Sequence, residues 1–64
     1  MAQMENDRYI TVMHTVDNKH FATLMEADSE GEYVGKPIGP KRLTIEVALE
    51  DAEAESVKRG LEIR

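Results

Sequence analysis

A β-hairpin is predicted by the stretch RYITVMHTVDNKHFATLMEA, residues 8–27. Residues 8–16 are rich in β-branched side chains, which favour extended backbone, and they contain no helix-breaking residue. Asp17 and Asn18 both tolerate the positive φ angles that a tight two-residue turn requires. Residues 20–27 would therefore return alongside residues 8–16 as a second, antiparallel strand.

A two-residue turn also fixes the register of this hairpin. The predicted facing pairs are Val16 with Lys19, His14 with Phe21, Val12 with Thr23, and Ile10 with Met25. One face would then carry most of the apolar side chains, namely Ile10, Val12, Val16, Phe21 and Met25. The other face still holds Tyr9, Met13 and Leu24, which makes it more apolar than a water-exposed face usually is. We expect something to cover part of it.

A helix over residues 20–27 is the competing interpretation. Phe21, Leu24 and Met25 lie at the helical spacing i, i+3 and i+4. Asp17 would be a suitable N-cap for such a helix. We prefer the strand.

Residues 28–42 predict a loop, because they hold three of the four glycines and both prolines. Within that loop, residues 32–36 predict a short strand. Pro37 and Pro40 would either confine this strand to the edge of the sheet or terminate it. Residues 43–49 have apolar side chains at every second position, which are Leu43, Ile45, Val47 and Leu49. This alternation predicts a strand with one buried face.

Residues 50–59 predict a short helix, with acids in its first turn, Lys58 and Arg59 in its last turn, and Gly60 after it. Residues 61–64 would add a last strand. The chain is therefore expected to be an α+β protein, an antiparallel sheet of three to five strands with one short C-terminal helix packed on one face. Residues 8–64 would form this single domain, preceded by a disordered arm over residues 1–7.

Composition excludes several classes of protein. The chain has 64 residues, a net charge of −5 and no cysteine, which removes disulfides, thiolate metal sites and cysteine nucleophiles. The first seven residues lack the basic start and apolar stretch of a secretory signal, and no apolar run approaches the ~20 residues that cross a bilayer. We expect a cytoplasmic protein that makes no contact with a membrane.

The short length favours association. A domain of about 60 residues buries only ~60% of the surface that its unfolded chain exposes, and small scaffolds compensate with disulfides, a metal or oligomerisation. Disulfides are excluded, and in the predicted register His14 and His20 lie on opposite faces, where one metal ion could not easily bridge them. We therefore expect no metal site and no cofactor, and we predict a homodimer.

The candidate binding residues are charged or aromatic and lie around the Gly/Pro loop: Asp28, Glu30, Glu32, Tyr33, Lys36, Lys41 and Arg42. An acidic surface suits a basic protein partner. The three cations beside Tyr33 would suit a nucleic acid strand. The net charge of −5 opposes that alternative, because phosphate contacts supply most non-specific affinity for nucleic acids.

Residues 21–55 resemble the antitoxin fold of the HicB type. The resemblance rests on a strand FATLMEAD, a turn SEGEYVGKP, a Gly/Pro loop, and LEDAEAE opening a helix. It implies a protein that neutralises a small ribonuclease partner and often carries a DNA-binding tail. The sequence has Pro37-Ile38-Gly39-Pro40 in place of the usual Asp-Leu-Pro-Gly run of that family, and it adds a strand in front.

Elimination favours a non-catalytic role. The sequence offers no nucleophile with a base at a fixed spacing, no phosphate loop and no cluster of metal ligands. We expect a small acidic protein that inhibits or regulates a larger protein partner, of a kind often encoded on phages and other mobile elements. The alternative is a nucleic-acid-binding regulator or antitoxin-like protein that uses Lys36, Lys41 and Arg42.

Overall fold

The computed structural model describes residues 7–64. Its elements are β1 (Arg8–His14), β2 (His20–Ala27), β3 (Tyr33–Pro37) and α1 (Ile45–Arg59). The strands form one antiparallel sheet in the order β1-β2-β3, and α1 packs against β1 and β2. The predicted α+β fold is confirmed, with three strands and one C-terminal helix. The predicted disordered arm lies outside the described residues, except for Asp7.

Two strand predictions are confirmed. Residues 20–27 form β2, so the competing helix at this position is wrong. The short strand predicted over residues 32–36 is β3, one residue further along the chain. It pairs only with β2, so it is an edge strand, and Pro37 is its last residue. An edge position suits proline because proline has no N–H to donate to a neighbouring strand.

The first turn differs from the prediction because its loop has three residues. The Thr15 N–H donates to the Lys19 carbonyl oxygen at 2.8 Å, which places Val16, Asp17 and Asn18 in the loop. Asn18 alone adopts a positive φ, 67°. The Asn18 N–H donates to the Thr15 carbonyl oxygen at 3.1 Å, as in a type I turn followed by a left-handed residue.

The longer loop shifts the predicted register by one residue. Ile10 faces Leu24 rather than Met25, and every other pair of β1 and β2 is displaced in the same way. Because side chains alternate along a strand, a shift of one residue moves the side chains of β2 to the other face of the sheet. The face towards α1 therefore carries Ala22 and Leu24, and the predicted core position of Phe21 is wrong.

The core is small and uses short side chains. Its buried members come from two strands, the helix and the segment after it: Ile10, Ala22, Leu24, Ala52 and Leu61. Three half-buried residues pack against them, Val12, Ile38 and Ile63. Because Ala22 and Ala52 have small side chains, α1 packs close to the sheet. Gly39 lies in the same gap, where an added Cβ would be 3.4 Å from the Cβ of Ala22.

The strand predicted for residues 43–49 is wrong, because α1 begins at Ile45. The Thr44 side chain caps the helix by accepting a hydrogen bond from the Val47 N–H. Ala48 and Ala52 face the sheet, and the large apolar residues of the alternating pattern are exposed. The predicted end of the helix is confirmed, since Gly60 follows it at φ 69° and donates its N–H to the Ser56 carbonyl oxygen.

The chain after α1 returns along β1. The Ile10 N–H donates to the Glu62 carbonyl oxygen at 2.9 Å, and the Arg64 N–H donates to the Ile10 carbonyl oxygen at 2.8 Å. These bonds make one parallel bridge between Ile10 and Ile63. The predicted last strand over residues 61–64 is thus reduced to a single bridge in the structure.

The turn between β2 and β3, like the first turn, has a three-residue loop whose last residue has a positive φ. A substitution at that residue tests this turn assignment. The Asp28 carboxylate accepts hydrogen bonds from the N–H groups of Glu30 and Glu32, both at 2.9 Å, and Gly31 has a φ of 85°. We expect Gly31→Ala to lower the free energy of unfolding by about 1–2 kcal/mol, because a left-handed backbone strains any residue with a Cβ.

The matched control for this turn is Gly31→Asn, since asparagine tolerates the left-handed region better than alanine does. An added Cβ at Gly31 meets no atom within 4 Å, so crowding does not confuse the comparison. Urea unfolding of the three proteins should rank them as wild type, Gly31→Asn, then Gly31→Ala. Equal midpoints for all three would contradict the assigned turn.

Candidate functional site

The face of the sheet that points away from α1 is rich in large apolar and aromatic side chains. We call it the open face and define it by five of them, Tyr9, Met13, Phe21, Met25 and Tyr33. The pairing of the strands places them on one side, since Tyr9 faces Met25 and Met13 faces Phe21. Within residues 7–64, no helix or strand lies over this face. Met13 and Tyr33 each keep 43% of their surface exposed.

Aromatic rings occupy one end of the open face. The ring of Tyr9, from β1, meets the ring of Tyr33, from β3, edge to face with 5.3 Å between centroids. The Arg64 guanidinium lies over the Tyr9 ring, with 4.6 Å between its central carbon and the ring centroid. Arg64 also forms an ion pair with Glu62 at 2.6 Å. The aromatic end is therefore bordered by a neutralised charge pair.

Methionines cover the centre of the open face. A Cβ added to Gly35 would lie 3.0 Å from the Met25 sulfur and 3.9 Å from the Met13 sulfur. The Met13 side chain, which starts on β1, thus extends across β2 towards β3. Thr23 lies below these side chains and is only 1% exposed, although no helix within residues 7–64 covers it. Methionine is flexible and polarisable, which suits it to a surface that adapts to a partner.

The outer surface of α1 combines acidic side chains with exposed apolar ones, such as Leu49 and Val57. Glu46, Glu50 and Glu53 are exposed there, and none of them forms an ion pair with another residue of the described chain. The remaining two acids of the helix are paired, Asp51 with Arg42 and Glu55 with Arg59. The molecule therefore has a sheet face of apolar and aromatic side chains on one side, and on the other a helix surface where unpaired carboxylates lie among apolar side chains.

The acidic part of the predicted binding set lies in the second turn. Asp28 follows β2, and its carboxylate is occupied by the two backbone N–H groups of the turn. Glu30 and Glu32 are exposed in the same turn. Tyr33 comes directly after them as the first residue of β3, where its ring belongs to the open face. These four residues lie together.

The cationic part of the predicted set is largely neutralised. The Lys36 ammonium lies 3.2 Å from the Glu26 carboxylate, and this contact holds the pKa of Glu26 below its usual value. The Arg42 guanidinium donates two hydrogen bonds to the Asp51 carboxylate, at 2.8 and 3.1 Å. Lys41 is exposed and forms no ion pair among the residues that the structure describes. Of the three cations, Lys41 is therefore the one whose charge is not balanced by a carboxylate of the described residues.

The predicted binding residues fall into separate groups along β2. Arg42 pairs through its backbone with His20, at the start of β2, whereas Asp28 follows the end of that strand. β2 has eight residues, and at about 3.3 Å per residue its ends are roughly 23 Å apart. Lys36 lies between them, opposite Leu24. The structure does not bring Lys41 and Arg42 near Tyr33.

The Arg42–Asp51 pair predicts a specific dependence of stability on pH. The hydrogen bond from Arg42 holds the pKa of Asp51 below its ordinary value of 3.8. A lowered folded-state pKa stabilises the fold above the unfolded-state value, and this stabilisation is lost as pH falls through the folded-state value. We expect Asp51→Asn to lower the urea midpoint at pH 7, and we expect its difference from wild type to shrink as pH falls below the ordinary value of 3.8.

The control for this experiment is Glu53→Gln, which removes an unpaired carboxylate of the same helix. Its urea midpoint should stay near that of the wild type at both pH values. A gap between wild type and Asp51→Asn that stays constant as pH falls would contradict the ion pair.

The two histidines occupy positions that the predicted register did not give. His14 faces His20 directly across β1 and β2, so both lie on the same face of the sheet, and the prediction of opposite faces is wrong. Their ring centroids are 6.3 Å apart. Among residues 7–64, the structure has no group of three or more histidine, aspartate or glutamate side chains able to hold a metal ion.

Sequence reasoning identified the open face only in part. The sequence predicts that Tyr9 and Met13 lie on a second apolar face that something covers, but it assigns Phe21 and Met25 to the core, and the observed pairing places all four on the open face. The error comes from the length of the first turn, because its third loop residue shifts the register of β2 by one. The sequence predicts Tyr33 as a binding residue beside the cations, and the structure instead places its ring against Tyr9.

Comparison with known proteins gives no further guide. No family model matches the chain, and neither a curated protein nor a solved structure is similar to it. The resemblance to the HicB type therefore rests on the sequence features alone. Among the described residues, α1 falls short of the length and apolar character that a membrane-crossing helix needs.

Proposed function

We propose that this chain is a non-catalytic, cytoplasmic binding protein that acts as a homodimer and inhibits or regulates a larger protein partner. The observation that carries the proposal is the contrast between the two sides of the molecule. The open face presents apolar and aromatic side chains, and the outer surface of α1 presents unpaired carboxylates. An apolar patch of this kind on a small protein is typical of an interaction site.

A second copy of the chain is the occupant that best fits the open face. Two open faces can meet without bringing like charges together, because the five side chains that define the face are apolar or aromatic and include no aspartate, glutamate, lysine or arginine. Two α1 surfaces could not do so, since Glu46, Glu50 and Glu53 would oppose their own copies. The small core adds a reason for association, because only a few large side chains are buried within one chain.

The size of the open face sets the expected strength of the dimer. Three strands about 4.8 Å apart and about 20 Å long present a planar area of roughly 300 Å². A standard interface buries ~800 Å² on each partner. We therefore expect a dimer that dissociates on dilution, and a melting temperature that rises with protein concentration.

In such a dimer the two α1 helices point outwards. Their unpaired carboxylates would attract a basic surface on the partner and speed its association. The test compares the proteins recovered from the source cells by tagged wild type and by the variant Glu46→Gln/Glu50→Gln/Glu53→Gln. We expect one dominant partner with the wild type and little of it with the variant.

Two outcomes of this capture would contradict the proposal. The first is recovery of the same proteins by wild type and variant, which would remove the role of α1. The second is recovery that disappears after nuclease treatment, which would favour a nucleic acid as the direct ligand. Glutamine is used in the variant rather than lysine, because added lysines could bind nucleic acid by themselves.

The nucleic-acid-binding or antitoxin-like alternative ranks second. It would use Lys36, Lys41 and Arg42, but Lys36 and Arg42 are already engaged with carboxylates. If it is right, binding should weaken steeply with added salt and should be lost in Lys41→Glu. Absent binding, or binding that does not respond to salt, would remove this alternative.

A further inference from the structure

The geometry points to a two-histidine site for a divalent transition metal, formed by His14 and His20 at the end of the β1–β2 hairpin. The predicted register had separated these residues. The observed register makes them a directly facing pair on the side of the sheet that carries α1. This site is independent of the open face, because the two lie on opposite sides of the sheet.

The backbone brings the two imidazoles as close as strand pairing allows. The His20 N–H donates to the Arg42 carbonyl oxygen, and the His20 carbonyl oxygen accepts from the Arg42 N–H. The backbone groups of His20 therefore point away from β1, and His14 and His20 form a non-hydrogen-bonded pair. In such pairs the Cα atoms are about 4.5 Å apart and the side chains are closer than in hydrogen-bonded pairs.

The distance between the rings fits one shared ion. Imidazole nitrogens bind zinc at about 2.0–2.1 Å, so each ring centroid lies about 3.2 Å from the ion. Two centroids around one ion are then roughly 5.2 Å apart at a tetrahedral angle and about 6.4 Å apart when the nitrogens are opposite. The observed separation is 6.3 Å, with 44° between the ring planes. The χ2 torsion of histidine is broad, so each ring can rotate to turn a nitrogen towards a shared ion.

The ring nitrogens are available for a ligand. Within the described part of the chain, neither imidazole forms a hydrogen bond or an ion pair with another side chain. His14 is exposed and His20 is half-buried, so solvent reaches the site. Neutral imidazole suits Cu²⁺, Ni²⁺ and Zn²⁺, whereas Mg²⁺ and Ca²⁺ prefer oxygen ligands.

Two protein ligands leave further coordination positions to water. No third histidine, aspartate or glutamate completes a cluster among the described residues, so the site is an exchangeable one rather than a closed structural centre. A bound ion would tie β1 to β2 next to the first turn. Because it binds the folded pairing of the strands, it would stabilise a chain that has no disulfide.

The test is calorimetric titration of the full chain with CuCl₂, NiCl₂ and ZnCl₂, with MgCl₂ as the negative control. We expect one ion per chain, tightest for Cu²⁺ in keeping with the Irving–Williams order, and no binding of Mg²⁺. His14→Gln and His20→Gln should each weaken Cu²⁺ binding by about tenfold or more, because the second imidazole acts at a high effective concentration. Lys19→Gln, a neighbour that is not a ligand, should bind like the wild type.

The chain contains only these two histidines, which makes the contrary results clear. Two ions per chain, with each single variant losing one of them at unchanged affinity, would show two independent imidazoles. Binding that persists in the double variant would show that other groups hold the metal. In the wild type, NMR signals of both imidazoles should change together up to one equivalent of Zn²⁺, and a change in one ring alone would overturn the proposal.

Discussion

Met13→Glu should convert the proposed homodimer into a monomer. Met13 lies at the centre of the open face, where its side chain crosses β2 and its sulfur lies near Gly35. In a dimer formed by two open faces, each glutamate would be buried opposite an apolar surface without a partner for its charge. Burying an unpaired carboxylate costs several kcal/mol, which exceeds what an interface of this size can offset. Sedimentation velocity over a range of concentrations measures the change.

The matched control for this variant is Val57→Glu. Val57 is 85% exposed on the outer surface of α1, so the same charge is added on the opposite side of the molecule. We expect Val57→Glu to sediment like the wild type. Circular dichroism should show the folded spectrum for both variants, because Met13 is already 43% exposed in one chain. A Met13→Glu protein that sediments like the wild type would place the dimer interface elsewhere.

Leu24→Ala should cost the largest share of the stability of the chain. Leu24 is 4% exposed and packs in the core with Ile10 and Ala52. Truncation of a buried leucine to alanine costs about 2–5 kcal/mol, through lost burial and the cavity that remains. Domains of this kind are stable by only about 5–15 kcal/mol in total. Urea unfolding at one fixed protein concentration should therefore show a large fall in the midpoint.

Leu43→Ala is the matched control, because it makes the same chemical change at a site that is 79% exposed. We expect it to change the free energy of unfolding by less than about 0.5 kcal/mol. The alternation of residues 43–49 predicts the reverse for Leu43, since it would then point into the core from a strand. Equal losses for the two variants would contradict the structure described here.

The end of the helix could be predicted from the sequence, but its beginning could not. Lys58, Arg59 and Gly60 form the usual pattern of a helix C-terminus, and the structure ends α1 there. At the other end, the residues that face the sheet are Ala48 and Ala52, whose small side chains give a weak periodic signal. The larger apolar residues around them alternate by chance and favour a strand.

The register depended on one property of the first turn. A polar Asp17-Asn18 pair is compatible with a two-residue loop or with a three-residue loop in which only the last residue has a positive φ. The structure uses the second, and Lys19 is held by its N–H bond to the Thr15 hydroxyl oxygen. The one additional residue in the loop decides which side of β2 enters the core. It also decides whether His14 and His20 lie on one face.

The proposed binding role could be reached from the sequence only by elimination. The structure adds a physical basis for it, because the open face and the acidic helix are separate surfaces with different chemistry. The open face contains no sequence motif, since it is assembled from residues that are distant in the chain. Tyr9 and Tyr33, for example, meet only because β1 and β3 flank the same strand.

Sedimentation equilibrium of the wild type shows whether the chain forms the proposed homodimer. At micromolar and higher concentrations, we expect a particle of twice the 7.2 kDa of one chain, which dissociates on dilution. The melting temperature measured on the same samples should rise with concentration. A single 7.2 kDa species at every concentration, with a constant melting temperature, would contradict the account.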